Sequence, residues 1–474
     1  MAPIRVRFAP SPTGYMHIAN VRVALLNWLY ARANNGTFIL RIEDTDQERL
    51  IDSDAKQIQA DLQWLGLNYS EGPFFQSQRN TLYQEYLQIL IEKNQVYRCF
   101  CSHEELENKR ALQIATGIPP CYDRTCMQLS RQLSDEKAAR GEPFIWRLQL
   151  PDALIVFHDS ARGTISFDLG LFSDPALTRA NGTCTFIFAN LVDDIDMRIS
   201  YVIRGEDHLT NTAIQVHLYR LFNKEVPPFY HLPIMLGSEG KKMSKRDFGS
   251  SLKDLQEAGY MCEAVNNYLG IIGLSLDKEI LSLDELSKVV PFDTRATTGT
   301  VHYDINKFNW INHEWIKKLS LQELAVHIQP FITKAYPSIT AQQQAAIDII
   351  IPLLQQELVT LAQVGAKIAF LFSQPVVSHE YIGKELQIDS ATLDKINTLL
   401  ATMVANFESK TITDSFNELT AEAKKQNIPN KILYSYMRYA LTGSTSGIGV
   451  RDVLRVLERD EIKQRLLHIV HATK

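Results

Sequence analysis

The sequence has 474 residues, too many for one hydrophobic core, so we expect roughly three or four domains. Its composition, 45% hydrophobic and 22% charged, is that of a globular protein, and no apolar run approaches the roughly 20 residues of a membrane span, which excludes a membrane protein. The formal net charge of −5 argues against wholesale affinity for nucleic acid, although a local basic surface can still bind phosphates.

The first segment of the chain, MAPIRVRF, lacks the apolar region of a secretory signal. We therefore predict a cytoplasmic protein. In that reducing compartment the six cysteines are expected to be thiols or metal ligands rather than disulfides.

The stretch RVRFAPSPTGYMHIAN, Arg5 to Asn20, predicts a strand, a tight turn and the start of a helix. Arg5 to Phe8 alternates charged and apolar residues, and prolines and a glycine follow. The run from Val21 to Arg32 then places its apolar residues on one helical face, so His17 and Asn20 lie at or just before a helix N-terminus. Because the free N–H groups and the dipole of a first turn attract anions, this point is a predicted phosphate site.

A β-α-β-α rhythm follows in the next part of the chain. The run TFILRIED from Thr37 is strand-like, and helical patterns cover Asp54 to Leu65 and Thr81 to Lys93. Such alternation predicts an α/β fold with a mostly parallel, Rossmann-type sheet. Ligands bind outside the carboxyl ends of such strands, where Arg7 to Ser11 and Arg41 to Asp46 would converge.

The alternation of strand and helix patterns stops between about residues 94 and 183. This stretch contains four of the six cysteines and strand-like segments such as PFIWRLQL. We predict an insertion here. The sheet is expected to resume near Thr185, where TFIFANLVDDIDMRISYVIRGEDH alternates strand patterns with acidic loops, before a helix from Thr210 to Phe222. Beyond about Leu319, helical patterns such as Ala341 to Val364 and Lys431 to Gly443 predict an all-α final third.

The segment GSEGKKMSKRDFG, Gly237 to Gly249, is a glycine-flanked loop that carries Lys242 and Lys245. Taken alone, KKMSKR is typical of a solvated lysine patch, and PSPTG is typical of an ordinary turn. Together, a helix start at His17 and a lysine loop provide two phosphate-binding elements in one chain.

Several of these segments resemble one known family. MHIAN and KMSKR are similar to the two signature motifs of class I aminoacyl-tRNA synthetases. The segments around these motifs resemble glutamyl-tRNA synthetases, namely RFAPSPTGYMHI, LRIEDTD, VIRGEDHLTNT and HLPIMLGSEGKKMSKR. The resemblance continues along the chain to RYALTGSTSG. It implies that ATP, assisted by Mg²⁺, activates L-glutamate as glutamyl-adenylate, which is then transferred to the 3′ end of tRNA(Glu) by a monomeric enzyme.

The resemblance implies that catalysis depends on cations rather than on a nucleophile. His17 and the helix after it would stabilise the ATP phosphates, and Lys242 and Lys245 would close over them as charge develops on pyrophosphate. Asn20 and Asp207 are further predicted ATP contacts. A buried structural histidine is the alternative for His17.

The glutamate site must satisfy two carboxylates and one ammonium. By resemblance, Arg7 and Arg204 hold the carboxylates and Glu43 holds the ammonium, and arginine forks suit carboxylates better than lysine does. Ser11 and Phe186 are further predicted members of this site. Each charged residue alone is also typical of a surface ion pair.

Three positions depart from the family pattern. The family usually has glycine where Ala19 stands, so a methyl group is expected to crowd adenine. The family commonly has tyrosine and histidine where this chain has Phe186 and Ile187. We therefore expect the glutamate pocket to lack two hydrogen-bonding groups.

The cysteines of the insertion occur as CFC at Cys99 and Cys101 and as CYDRTC at Cys121 and Cys126. The resemblance implies a structural Zn²⁺ held by Cys99, Cys101, Tyr122 and Cys126. Cys121 is the softer alternative as fourth ligand. Buried thiols without a metal are the other alternative.

By the same resemblance, the chain divides into five predicted regions. These are two halves of a Rossmann catalytic domain at 1–93 and 184–236, an acceptor-stem-binding insertion at 94–183, the lysine loop and stem-contact region at 237–318, and an α-helical anticodon-binding region at 319–474.

Two other functions share parts of this pattern. A tRNA-modifying relative, which glutamylates a queuosine base, has the catalytic half but no anticodon-binding domain. The helical third, with Tyr434, Tyr436, Arg438 and Arg451, favours tRNA charging through stacking and phosphate contacts, although such aromatics are equally typical of a core. The departures at Ala19, Phe186 and Ile187 suggest a non-catalytic tRNA-binding paralogue, and the retained lysines oppose it.

One helix, around GAKIAFLF at Gly365 to Phe372, bears on which tRNA is charged. It resembles a segment in which glutamate-specific enzymes carry an arginine that reads the last anticodon base. Here that position is Ala369. Since alanine donates no hydrogen bond to a base edge, the sequence predicts an enzyme that charges both tRNA(Glu) and tRNA(Gln), or one that is specialised for tRNA(Gln). An amidotransferase would then convert the misacylated product.

Overall fold

The computed structural model describes residues 3–45, 51–52, 55–237, 240–241, 243, 248–376, 378, 382, 386 and 388–472. The chain divides into two compact units. The first comprises Met1–Leu255 and Cys262–Phe308, and the second comprises Gln256–Met261 and Asn309–Lys474. In the described residues, no helix is both long and apolar enough to cross a bilayer.

The strands all lie in the first unit, as far as the chain is described. In chain order they are β1 (Arg5–Phe8), β2 (Thr37–Ile42), β3 (Glu71–Phe75), β4 (Val96–Cys99), β5 (Ile145–Leu148), β6 (Leu154–Asp159), β7 (Gly163–Asp168), β8 (Val202–Gly205), β9 (Phe229–Leu232), β10 (Met235–Leu236) and β11 (Val301–His302). The helices up to residue 318 are α1 (Ile18–Ala33), α2 (Lys56–Trp64), α3 (Asn80–Glu92), α4 (His103–Ala115), α5 (Arg131–Ala139), α6 (Phe186–Asp196), α7 (Leu209–Leu221), α8 (Leu252–Glu257), α9 (Cys262–Ile271), α10 (Leu283–Val289) and α11 (Ile305–Lys318).

The sheet is parallel where the sequence predicted it to be. Strands β1, β2 and β3 pair in parallel in that order. Strands β8 and β9 are also parallel, within a sheet of order β7-β6-β9-β8. Ser200, just before β8, donates its backbone N–H to the Arg5 carbonyl at 3.0 Å, which brings β8 beside β1. The predicted Rossmann-type arrangement is confirmed, and it brings the carboxyl ends of β1, β2 and β8 to one edge.

The expectation of strands and acidic loops from Thr185 onward was wrong. Residues Phe186–Asp196 form helix α6, and the strand of this stretch is only Val202–Gly205. The acidic residues that suggested a loop are buried, since Asp193 and Asp194 are 0% and 4% exposed. Buried arginines face both carboxylates, with Arg41 Nη1 2.7 Å from Asp194 Oδ1. Because charge pairing between distant segments removes the cost of burial, local polarity misled the prediction.

The second unit is all-helical in its described residues, which confirms the prediction for the final third. Its further helices are α12 (Leu321–Ala335), α13 (Ala341–Glu357), α14 (Val364–Lys367), α15 (Ser390–Ala405), α16 (Ile412–Lys425), α17 (Asn430–Thr442), α18 (Val450–Val456) and α19 (Arg459–Ala472).

Two details of the final third differ from expectation, and a third decides between the two roles left open for Tyr436. Helix α13 ends at Glu357 instead of continuing to Val364, because Leu358 is already extended as the C-cap. The segment Gly365 to Phe372 is not one helix but the end of α14 followed by a 3₁₀ turn, Ala369–Leu371. Tyr436 is fully buried and donates its hydroxyl to Asn397 Oδ1 at 2.8 Å, so it is a core residue rather than a stacking platform for RNA.

Candidate functional site

The proline-glycine turn after β1 leads directly into α1, as predicted. His17 is the N-cap of that helix, and its Nδ1 accepts the backbone N–H of Ala19 at 3.2 Å. The Ile18 N–H donates to the Ser250 carbonyl and the Asn20 N–H donates to the His17 carbonyl, each at 2.8 Å. The first-turn N–H groups are therefore already bonded, contrary to the expectation that they would be free for a phosphate. The side chains of His17 and Asn20 line the cavity described next.

A cavity of about 730 Å³ lies beside these elements. It is lined by eight of the predicted site residues, namely Arg7, Ser11, His17, Asn20, Glu43, Phe186, Arg204 and Asp207, and also by Ala19. Lys242 and Lys245 lie outside the described residues. The fold thus brings together side chains from β1, α1, α6, β8 and the loops that follow the strands.

Arg7 is buried at the base of this cavity and is already paired. It is 3% exposed, and its Nε lies 3.0 Å from Asp194 Oδ1. Arg41 donates to the same oxygen at 2.7 Å. Burial opposes ionisation of Asp194, but the two guanidinium groups hold the pKa of that carboxyl below its usual value. Arg7 therefore shares the charge of a buried carboxylate, which sequence reasoning did not identify.

Arg204, by contrast, has unused donors. Its Nη2 donates to Thr212 Oγ1 and to Gln215 Oε1, each at 2.7 Å. Among the described residues, its buried Nε and Nη1 atoms have no hydrogen-bond partner. Burial, with the nearby charge of Arg7, lowers the pKa of Arg204 to about 10, so the side chain stays charged at neutral pH. A buried cation with unpaired N–H groups in a cavity fits an anionic ligand group.

Glu43 supplies negative charge to the same cavity. Its Oε1 accepts Nδ2 of Asn190 at 2.6 Å and lies 3.8 Å from Arg41 Nη2. Burial raises the pKa of Glu43 to about 7, although Arg41 opposes the shift. Asn190 also lines the cavity. Sequence reasoning missed Asn190 because it placed strands and loops where α6 presents this residue to the site.

The two predicted departures in the glutamate pocket have different outcomes. Phe186 lines the cavity, and its ring centroid lies 5.3 Å from that of His208. Ile187 instead packs against the hydrophobic core and does not line the cavity. Burial, together with Arg204, lowers the pKa of His208 to about 4, so a neutral imidazole faces the cavity beside Phe186. His208 lies in the segment VIRGEDHLTNT and directly follows Asp207, a predicted ATP contact. This position could have identified His208 as a residue of the site.

The cysteines of the insertion form a separate cluster in the first unit. The Sγ atoms of Cys99, Cys101 and Cys126 all lie within 4.8 Å of one another. Tyr122 Oη lies 3.3 Å from Cys99 Sγ and 3.6 Å from Cys101 Sγ. Cys121 does not belong to this cluster, and its Sγ instead lies 3.8 Å from the Tyr122 carbonyl. The fourth group beside the three thiols is therefore the Tyr122 phenol rather than Cys121.

The donor set of this cluster suits zinc. Zinc–sulfur bonds of about 2.3 Å place tetrahedral sulfurs about 3.8 Å apart, and Cys101 Sγ and Cys126 Sγ are 3.6 Å apart. Burial disfavours the Cys99 thiolate, but hydrogen bonds from Tyr122 and Arg147 keep the pKa of Cys99 below its usual value. Burial raises the pKa of Cys101 to about 11, so zinc binding would release the proton of this thiol. Thiolate ligands are soft and select zinc over hard cations.

Comparison with known families covers nearly the whole chain. Residues 3–310 match the family described as tRNA synthetases class I (E and Q), catalytic domain, and residues 323–470 match the family described as anticodon binding domain. The chain is 35% identical to a glutamate–tRNA ligase of Finegoldia magna, over 98% of this chain and 99% of that one. It is 37% identical to a glutamate–tRNA ligase of Trichormus variabilis, over 94% of each chain.

Solved structures agree with these matches. The chain superposes on the crystal structure of a glutamate tRNA ligase from Elizabethkingia meningosepticum, in complex with its amino acid, with a TM-score of 0.83 and 27% identity. The superposition covers 99% of this chain and all of that one. A glutamate-tRNA synthetase from Elizabethkingia anophelis gives a TM-score of 0.84 at 26% identity.

Proposed function

The chain belongs to the glutamate–tRNA ligase family of class I aminoacyl-tRNA synthetases, and from this premise we propose how its residues hold the substrates and which tRNAs it charges. The enzyme attaches L-glutamate to tRNA with ATP as the energy source. The observation that carries the residue roles is Arg204, whose Nε and Nη1 are buried and unpartnered among the described residues, in a cavity that Glu43 also lines. A bound glutamate needs the positive charge of Arg204 for a carboxylate and the negative charge of Glu43 for its ammonium group.

In the proposed complex, the Arg204 guanidinium pairs with a glutamate carboxylate. Arg7 adds positive charge to the carboxylate site, and Glu43 accepts the ammonium. Phe186 and Ser11 complete the walls. These roles rest on the cavity lining and on the hydrogen bonds described above.

The ATP side of the site is proposed to use His17, Asn20 and Asp207, which line the same cavity. Lys242 and Lys245 lie outside the described residues, and they are proposed as further ATP contacts from their place in the lysine loop of the sequence. Mg²⁺ neutralises phosphate charge when it is bound with ATP. Because the α-carboxylate of glutamate attacks the α-phosphate, the chain's task is to align the two substrates and to stabilise the charge that develops on pyrophosphate.

The elevated pKa of Glu43 predicts a pH-dependent affinity for glutamate. The pKa is about 7 because the side chain is buried, so a fall from pH 8 to pH 6 protonates Glu43 and removes the charge that attracts the ammonium. We expect the KM for glutamate to rise by up to about tenfold across this range. Initial-rate aminoacylation at fixed, saturating ATP and tRNA measures it.

The matched variant is Glu43→Gln, which keeps the shape and cannot ionise. Its KM for glutamate should be high at pH 8 and should change little between pH 8 and pH 6. A wild-type KM that stays constant over this range would contradict the proposed ammonium contact.

We also propose that Cys99, Cys101, Tyr122 and Cys126 hold a structural Zn²⁺, which would join β4 to the 3₁₀ turn Thr125–Gln128. When bound, zinc supplies a cross-link rather than chemistry. The insertion at 94–183 is then a rigid platform, which we assign to the tRNA acceptor stem.

Cys101→Ser is expected to remove zinc, to lower the melting temperature and to raise the KM for tRNA, while the KM for ATP stays near the wild-type value. Zinc content by mass spectrometry and melting curves measure this. Cys184→Ser is the matched control, because Cys184 is a buried thiol (1% exposed) outside the cluster. Wild-type protein that contains no zinc after chelator-free purification, together with a silent Cys101→Ser, would refute the site.

The match of residues 323–470 to an anticodon-binding domain favours tRNA charging over glutamylation of a modified base. We propose that this enzyme charges tRNA(Gln) as well as tRNA(Glu), because Ala369 cannot donate a hydrogen bond to the last anticodon base. We further propose that it acts as a cytoplasmic monomer. Its six cysteines are all free, and sedimentation of the purified protein tests the oligomeric state.

A further inference from the structure

We propose that Thr212, Gln215 and His231 are positioning residues that set the affinity for glutamate, although none of them lines the cavity. This inference rests on the proposed role of Arg204 as the carboxylate receptor. The three residues belong to two chains of hydrogen bonds that begin at Arg204 Nη2. The first relay is Arg204, Thr212, His231 and Asp159, and the second relay is Arg204, Gln215, Asn190 and Glu43.

The starting point is a nitrogen with two hydrogens. Arg204 Nη2 lies 2.7 Å from Thr212 Oγ1 and 2.7 Å from Gln215 Oε1. Both of its N–H bonds are therefore used by protein acceptors. Because a guanidinium is planar and rigid, fixing Nη2 also fixes Nε and Nη1, which have no partner among the described residues.

The first relay has a fixed direction. Asp159, 0% exposed, accepts the backbone N–H groups of Ala161, Arg162 and His231 at 2.9–3.0 Å. An ionised carboxylate can only accept, so Nδ1 of His231, 2.7 Å from Asp159 Oδ2, must donate.

The other ring nitrogen of His231 then accepts. Burial holds the pKa of His231 below its usual value despite Asp159, so the ring is neutral and Nε2 carries a lone pair. Thr212 Oγ1 lies 2.8 Å from Nε2 and 3.0 Å from the His208 carbonyl oxygen. Both of these atoms are acceptors, so the one hydroxyl hydrogen is directed at them, and the shorter contact is the one to Nε2. The threonine oxygen is thereby free to accept from Arg204, so every donor points from Arg204 toward the buried Asp159.

The second relay is directed in the same way. Because Gln215 Oε1 accepts from Arg204, its Nε2 donates, and it lies 3.3 Å from Asn190 Oδ1. Asn190 Nδ2 in turn donates to Glu43 Oε1 at 2.6 Å. The amide orientations of Gln215 and Asn190 follow from these partners. The proposed carboxylate and ammonium sites are thus joined through side chains, and a bound glutamate would meet groups that are already oriented.

Thr212→Val keeps the shape of the side chain and removes the hydroxyl, and Gln215→Met does the same for the amide. We expect each to raise the KM for glutamate about five- to tenfold, which corresponds to the loss of one typical net hydrogen bond of about 1 kcal/mol. The KM values for ATP and tRNA should stay within about twofold of wild type. Thr212→Ser, which restores the hydroxyl, should recover most of the affinity for glutamate.

The matched control is Thr178→Val. Thr178 is also buried, and its hydroxyl accepts the backbone N–H of Trp146 at 2.9 Å, but it belongs to neither relay. The KM for glutamate of Thr178→Val should equal that of wild type, even when its melting temperature falls as much as that of Thr212→Val. If Thr212→Val does not fold, Gln215→Met carries the test on the other relay.

The outcomes separate this inference from the proposed function. Equal KM values for glutamate in Thr212→Val, Gln215→Met and Thr178→Val, with Arg204→Ala impaired, would overturn the relays and leave the role of Arg204 intact. An unimpaired Arg204→Ala would overturn the proposed role of Arg204, and the relays with it. A selective rise in both relay variants that Thr212→Ser reverses supports the inference.

Discussion

Arg204→Ala is expected to lower kcat/KM for glutamate by about 100- to 1,000-fold, mostly through KM, while the KM values for ATP and tRNA stay near those of wild type. Arg204 is 6% exposed, and two of its nitrogens have no partner among the described residues. Its loss would leave a substrate carboxylate desolvated without a counter-charge. Removing one partner of a buried charge pair typically costs several kcal/mol, which corresponds to this range. Steady-state aminoacylation over a wide range of glutamate concentrations measures it.

Arg204→Lys separates charge from geometry. A lysine keeps the positive charge but has one nitrogen, which cannot donate to Thr212, Gln215 and a carboxylate in the planar arrangement of a guanidinium. We expect Arg204→Lys to fall between wild type and Arg204→Ala. Melting curves show whether the variants fold. A folded Arg204→Ala enzyme with a wild-type KM for glutamate would rule out the proposed carboxylate contact.

The sequence predicted that Arg7 and Glu43 would lie close together, and both line the cavity. Arg7 lies in β1 and Glu43 directly follows β2, and alternating patterns and prolines mark these strand limits clearly. The helix start at His17 was also predicted, because a turn rich in proline and glycine precedes an amphipathic run. These features depend on neighbouring residues, and local patterns therefore contain them.

The part that could not be predicted depends on contacts between distant segments. Asp194 and Asn190 lie in α6, which was read as strands and acidic loops because its acidic residues looked solvated. The Asp194 carboxylate is buried beside Arg7 and Arg41, which lie more than 150 positions earlier and pair with its charge. Similarly, the residues alone left Cys121 open beside Tyr122, since both neighbours in sequence carry suitable ligand atoms. Tyr122 was predicted only by resemblance, and its position beside the thiols depends on the fold of the loop.

The second large effect concerns tRNA choice, which we place at Ala369. This residue begins the 3₁₀ turn Ala369–Leu371 and is half-buried. The turn is held from several sides, since Gln343 Nε2 donates to the Leu371 carbonyl at 3.0 Å and Arg465 Nη2 donates to the Phe370 carbonyl at 2.6 Å. A side chain at position 369 would therefore be presented on a fixed backbone.

Contacts of the neighbouring aromatic rings also hold the backbone around Ala369 in place. Tyr336 stacks on Phe372 with ring centroids 3.7 Å apart, and its hydroxyl donates to the Gly365 carbonyl at 2.9 Å. Fixed backbone at both ends of the turn makes a base contact sensitive to the one residue between them. A longer donor placed at Ala369 should reach a base edge without rearrangement of the turn.

Wild-type enzyme is expected to charge tRNA(Glu) and tRNA(Gln) transcripts with similar kcat/KM, and Ala369→Arg is expected to favour tRNA(Glu) by about 10- to 100-fold. The two anticodons differ at the last base, C against G, and one base-edge contact typically discriminates by about 1 to 3 kcal/mol. Both transcripts must be assayed at the same salt concentration, because an added charge also attracts RNA without regard to sequence. Ala366→Arg controls for that effect, since Ala366 is exposed on the same segment and should improve both transcripts equally. A wild-type enzyme that already prefers tRNA(Glu) strongly, with little change in Ala369→Arg, would place discrimination in other residues, because the alanine would then have no role in the choice.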